Sequence, residues 1–175
     1  MGTIISNDLK WDDNTSFLIK KANSRLLLLR KATEYTNLLR DLKSIYLSHI
    51  RIILDQCCAI WHNSLTIENQ TDMERVQKNA CRIILGNQYI NYSESLKKLN
   101  LETLHDRREK LSLKFALNCV ENPKTKALFP KRKRQHIFKL RHSNKYQIIF
   151  AKTERLKRSA VPYLQRLLNK EEMKL

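Results

Sequence analysis

Two glycines, Gly2 and Gly86, and three prolines serve all 175 residues of this chain. A β-sandwich or a doubly wound α/β fold needs many tight turns, and those turns depend on residues that tolerate or impose unusual dihedrals. So sparse a supply excludes both and leaves a mainly α protein. Hydrophobic residues make up 42% of the chain, which argues against wholesale disorder. At this length one domain, or one domain with an appendage, can bury a true core.

The apolar periodicity places the helices. Asp12, Asp13 or Asn14 can cap a first helix, with Phe17, Leu18, Ala22, Leu26 and Leu29 recurring to about Thr33. Thr36 or Asn37 can cap a second and longer one. Its stripe is Leu38, Leu42, Ile45, Tyr46, His49, Ile50, Ile53, Leu54 and Cys57, and it is expected to run on to Trp61. A third is expected from about Thr71 to Leu85, closed by Gly86 in a left-handed position. A short helix opens near Ser93. Another runs from Thr103 to about Cys119 with Leu104, Leu111, Phe115 and Cys119 inward, and Asn122 and Pro123 end it. Residues 146–150 (Tyr-Gln-Ile-Ile-Phe) form the one segment with the look of a strand, and a final helix follows Ser159 and Pro162. The expected organisation is a helical bundle over 1–120, a basic connector over 121–145, and a strand with a closing helix over 146–175.

Charge points to the partner. Lys and Arg number 34 against 17 Asp and Glu, a net +17. Residues 1–120 hold 18 basic and 13 acidic side chains, whereas residues 121–175 hold 16 and 4, so the surplus rises from +5 to +12. Such a field draws a polyanion, and nucleic acid fits it better than an anionic membrane or an acidic protein. Arg75, Lys78 and Arg82 fall on one helical face at three- and four-residue steps and can track phosphates, or form an ordinary solvated face. The pair Arg107 and Arg108 is similar. The run Lys131, Arg132, Lys133 and Arg134 suits a phosphate contact or a nuclear import signal.

The residues offer no catalytic constellation. Asp12 and Asp13 stand side by side, but two-metal chemistry needs a third carboxylate and a tight turn, and the pair suits a helix start instead. Cys58 and His62 lie four apart without a second ligand pair to complete a zinc site. No glycine-rich phosphate loop and no nucleophile motif occur. Neither cofactor nor metal is expected. The four cysteines sit in apolar helical runs, with no CxxC spacing and no signal peptide ahead of them. The chain therefore reads as intracellular, with the nucleus as one destination, and has no apolar stretch of membrane-spanning length.

Several phrases are more specific. They run from Leu9-Lys10-Trp11-Asp12 through Leu47-Ser48-His49-Ile50-Arg51 and Ala59-Ile60-Trp61. Met73-Glu74-Arg75-Val76-Gln77-Lys78 leads on to Ile83-Ile84-Leu85-Gly86, then Leu101-Glu102-Thr103-Leu104, and finally Pro162-Tyr163-Leu164-Gln165-Arg166-Leu167-Leu168. This collinear series resembles the region after the palm in reverse transcriptases of jockey-like non-LTR retrotransposons, and the resemblance spans nearly the whole chain. It implies a thumb-like helical bundle that holds a primer–template RNA–DNA hybrid, or other RNA or DNA, by backbone contacts. It also implies that the metal-binding aspartates belong to a palm upstream, so that this chain is a fragment of an RNA-directed DNA polymerase, inactive alone and lacking palm and fingers domains. Two other expectations compete. One is a helical adaptor whose stripes at 26–29 and 50–54 meet a partner helix. The other is a non-functional remnant with exposed apolar surface.

Overall fold

The computed structural model describes residues 2–132 and 146–172. The protein is mainly helical, with no sheet among the described residues. It divides into two compact units, Met1–Cys58 with Leu65–Arg108, and Ala59–Ser64 with Glu109–Leu175. The boundary expected near residue 120 thus falls earlier, after Arg108.

The first unit is built on α1 (Asp12–Tyr35) and α5 (Ile67–Leu85), which pack against each other. Helix α1 starts without a side-chain cap. Trp11 holds the N-cap position, while Asp12 and Asp13 occupy the first turn, where negative charge complements the helix dipole. Leu18, Ala22, Leu26 and Leu29 face the core at helical spacing, and Phe17, expected to join them, is exposed. Helix α5 begins four residues earlier than the expected Thr71, because the Thr66 side chain caps it by accepting the Asn69 N–H at 3.1 Å. Gly86 ends it as expected, though at φ +49° and ψ −122° it lies outside the left-handed helical region; a side chain at that φ would be strained.

The expected long second helix is broken. It begins at α2 (Leu39–Ile45), widens into a π-helical turn at Tyr46–Arg51 and resumes as α3 (Ile52–Asp55). The chain then turns at Cys57, which takes φ +52° although it is not glycine. A short α4 (Cys58–Trp61) follows. The widened turn lets Tyr46, Ile50, Ile53 and Leu54 all point inward, leaving Leu38, His49 and Cys57 exposed. Helix α6 (Tyr92–Leu99) is capped by Asn91, which accepts from the Glu94 N–H, and ends at Asn100 in the left-handed region.

Helix α7 (Leu104–Glu121) carries the chain into the second unit. Its buried stripe is Leu104, Arg108, Ser112, Ala116 and Cys119, and the expected Phe115 is exposed instead. In the second unit Ala116 and Cys119 pack with Phe129, Tyr146 and the α9 (Ala160–Glu172) residues Leu164, Leu167 and Leu168. A short α8 (Glu154–Arg158) precedes α9 and is capped by Thr153. The Arg158 carbonyl accepts from Asn63 Nδ2 at 3.1 Å and Ser64 Oγ at 2.9 Å, which ties residues 59–64 into this unit.

The strand expected at 146–150 does not form. Residues 147–150 are irregular, and pairing is limited to one antiparallel bridge between Lys131 and Tyr146. Helix side chains take the ladder's place. Asn169 accepts the Tyr146 N–H and donates to its carbonyl, at 3.0 and 3.1 Å, and Gln165 accepts the Ile149 N–H at 2.9 Å. The apolar look of the segment is spent on Tyr146 in the core, while Phe150 is exposed.

Candidate nucleic-acid interface

In the first unit, Met73, Val76, Ala80 and Ile84 turn one side of α5 inward, which sets Arg75, Lys78 and Arg82 on the opposite side. From Arg75 to Arg82 the row covers about 10 Å of helix axis. That is close to the rise of about three phosphates along one strand of a duplex. Arg75 and Arg82 are exposed and Lys78 is half-buried. Arg75 Nη1 donates to Asp72 Oδ1 at 2.6 Å, an exposed contact of little net worth that a phosphate can replace. The Arg82 guanidinium lies 5.3 Å from the Tyr89 ring centre, with Nη1 at 3.4 Å from Asn79 Oδ1. Stacking holds the head group at the surface while leaving N–H groups to donate outward.

Arg107 and Arg108 are corrections. Both lie where α7 begins, opposite Asp55 at the end of α3. Arg107 Nε donates to Asp55 Oδ2 at 2.9 Å, and its Nη1 is 3.6 Å from Glu102 Oε1. Burial works against the Arg107 charge, but the hydrogen bond and charge of Asp55, with Glu102, outweigh it and raise its pKa. Arg108 is 1% exposed, with Nε 3.9 Å from Asp55 Oδ1. Burial lowers its pKa, and Asp55 offsets part of that pull. A guanidinium this deep holds the fold and reaches no phosphate.

Above this ion cluster lies a buried polar network. Gln77 is fully buried. Its Oε1 accepts from the Tyr46 hydroxyl at 2.5 Å, and its Nε2 donates to the Tyr92 hydroxyl at 2.8 Å and the Glu102 carbonyl at 2.9 Å. The Tyr92 hydroxyl donates to Glu74, whose carboxylate also accepts the Leu104 N–H at the start of α7. Burial raises the Tyr46 pKa well above its ordinary 10.0, and burial with the Glu74 contact raises that of Tyr92. Both phenols therefore stay donors. The network fixes the start of α7 against α5, the helix that presents the cation row.

In the second unit Lys131 and Arg132 are exposed, and Lys133 and Arg134 lie outside the described residues. Helix α9 binds the backbone at Leu128 and at Tyr146. On one side Gln165 Nε2 donates to the Leu128 carbonyl at 2.8 Å; on the other Asn169 grips Tyr146. The Gln147 N–H closes the pair by donating to the Pro130 carbonyl at 2.9 Å. Two amides four residues apart inside the apolar run Leu164, Leu167 and Leu168 were the available signal for this anchor.

Asp12 accepts from Asn69 Nδ2 at 2.6 Å, and His62 is buried edge-on to Tyr163. Among the described residues no three His, Cys, Asp or Glu side chains gather as metal ligands. No helix among them is long and apolar enough to cross a membrane. No family model, curated protein or solved structure matches this chain.

Proposed function

We propose that this chain grips nucleic acid by its phosphates, in the manner of the thumb-like region that follows the palm in jockey-like reverse transcriptases. An RNA–DNA hybrid is the preferred ligand, and polymerase chemistry is left to palm and fingers domains. The observation that carries the reading is the cation row on α5, where Arg75 and Arg82 face outward on a rigid helix of a chain with net charge +17. Lys131 and Arg132 add exposed charge beside Lys133 and Arg134 in the sequence. Arg107 and Arg108 are not part of the contact set.

The test is affinity of the full chain for a hybrid duplex across a salt series. The logarithm of the binding constant should fall linearly with that of salt, at about −0.9 per phosphate neutralised. Arg82→Gln should weaken binding uniformly across sequences and reduce the slope by about 1. A salt-independent affinity refutes phosphate binding. Primer extension by the chain alone should be nil, and measurable synthesis overturns the assignment of the chemistry to other domains.

A further inference from the structure

Helix α1 spends Leu18, Ala22, Leu26 and Leu29 on the core of the first unit, yet its outer side is not a polar face. Leu27 is 60% exposed and Tyr35 87%, and Leu28 is exposed beside them. The helix carries five basic side chains, Lys20, Lys21, Arg25, Arg30 and Lys31, against Asp12 and Asp13 in its first turn and an exposed Glu34 beside Tyr35, so the face around Leu27 and Leu28 keeps a cationic surplus. Lys20, Leu27, Lys31 and Tyr35 follow one another at steps of seven, four and four residues, with Leu28 three before Lys31 and seven before Tyr35, the spacing of a seam that meets another helix. Of the stripes at 26–29 and 50–54 expected to meet a partner helix, the chain buries Leu26, Leu29, Ile50, Ile53 and Leu54 itself; Leu27 and Leu28 are left outside.

We propose that this outer face of α1 docks an acidic amphipathic helix of a partner protein. The partner's apolar side chains pack on Leu27, Leu28 and Tyr35, and its carboxylates meet Lys20, Arg30 and Lys31. Charge selects this occupant. A second copy of the chain would place cation against cation across the two-fold axis, which disfavours self-association. A phosphate backbone would satisfy the lysines but set charged oxygens against two exposed leucines, a desolvation mismatch absent from the α5 row. An acidic helix satisfies both halves of the face, with apolar anchors at the centre and charge pairs around them.

The experiment is fluorescence anisotropy with the full chain and a labelled synthetic peptide of about three heptads, with leucine at a and d and glutamate at e and g. A shuffled peptide of the same composition, whose leucines share no face, is the control. The ordered peptide should bind and the shuffled one should bind about tenfold more weakly or worse. Leu28→Gln and Lys31→Glu should each weaken the ordered peptide by about fivefold to tenfold. Both positions are exposed, so circular dichroism should show unchanged helix content. Equal binding of the two peptides reduces the effect to bulk charge and overturns the proposal, as does failure of the ordered peptide to bind. Displacement of the peptide by an RNA–DNA hybrid whose own affinity falls in Leu28→Gln also overturns it, because the face then belongs to nucleic acid.

Discussion

Gln77→Leu nearly preserves volume at a fully buried position and removes three hydrogen bonds at once. The three partners do not suffer equally. Tyr92 keeps Glu74 as an acceptor, so its hydroxyl stays satisfied. The Tyr46 hydroxyl, completely buried, loses the acceptor that Gln77 supplied, and the half-buried Glu102 carbonyl loses one donor. At about 1–3 kcal/mol for a buried group left unpaired, the variant should lose about 2 kcal/mol. That is a large share of the roughly 5–15 kcal/mol that holds a domain of this size. Tyr46→Phe alone orphans the Gln77 carbonyl oxygen and should cost about 1–3 kcal/mol. Combining the two removes donor and acceptor together, so the double variant should be more stable than the sum of the single losses predicts, by about 2 kcal/mol. Urea denaturation followed by far-UV circular dichroism and tryptophan fluorescence measures each free energy, with the slope checked for constancy. If the two substitutions add to within about 0.5 kcal/mol, or Gln77→Leu costs less than about 1 kcal/mol, the network is not the tie described above.

Asp55→Ala withdraws the carboxylate facing the buried Arg108 and should destabilise the chain by about 3–5 kcal/mol, read as a lowered urea midpoint. A loss below about 1 kcal/mol would show that Asp55 does not hold the guanidinium. Burial, aided by the Glu74 carboxylate, pushes the Cys81 thiol from an ordinary 9.0 up to about 12. The folded thiol therefore keeps its proton over a range where the unfolded one has lost it. Its contribution is full below pH 9 and should decline as pH rises from 9 towards 12 in a denaturation series. At pH 8 iodoacetamide should modify the exposed Cys57 first and the buried Cys81 only on unfolding, as read by mass spectrometry of peptides. Rapid labelling of Cys81 in the folded chain would contradict its placement.

The helical class was legible because it rests on composition and on period. Leu18, Ala22, Leu26 and Leu29 on α1, and Met73, Val76, Ala80 and Ile84 on α5, announce their inward faces by spacing alone. The failures share a cause, which is that tertiary partners overrode local pattern. On α7 the buried stripe includes Arg108 and Ser112 at four-residue steps, and Phe115 is outside, so hydrophobicity found Leu104 and Cys119 but missed the polar part of that helix's inner face. Arg107 and Arg108 read as surface charge because Asp55 is more than fifty residues away in sequence. At Gln56 and Cys57 the chain breaks a helix without glycine or proline to mark the place. Residues 146–150 have strand-forming side chains but no neighbouring strand, and amides on α9 bind their backbone instead. On the candidate interface, spacing put Arg75, Lys78 and Arg82 on one face of α5, while the bonds of Gln165 and Asn169 to the backbone at Leu128 and Tyr146 required the fold.

The six residues at Ala59–Ser64 leave the first unit, serve the second and hand the chain back at Leu65. A gene segment beginning at codon 109 would encode the second unit without Asn63 and Ser64, whose side chains hold the Arg158 carbonyl. One ending at codon 108 would carry Ala59–Ser64 with no unit to join. The two units are therefore not interchangeable cassettes. Shuffling, fusion or recombination at a single point cannot exchange one without damaging the other, so lineages that keep either unit intact should inherit both as a block.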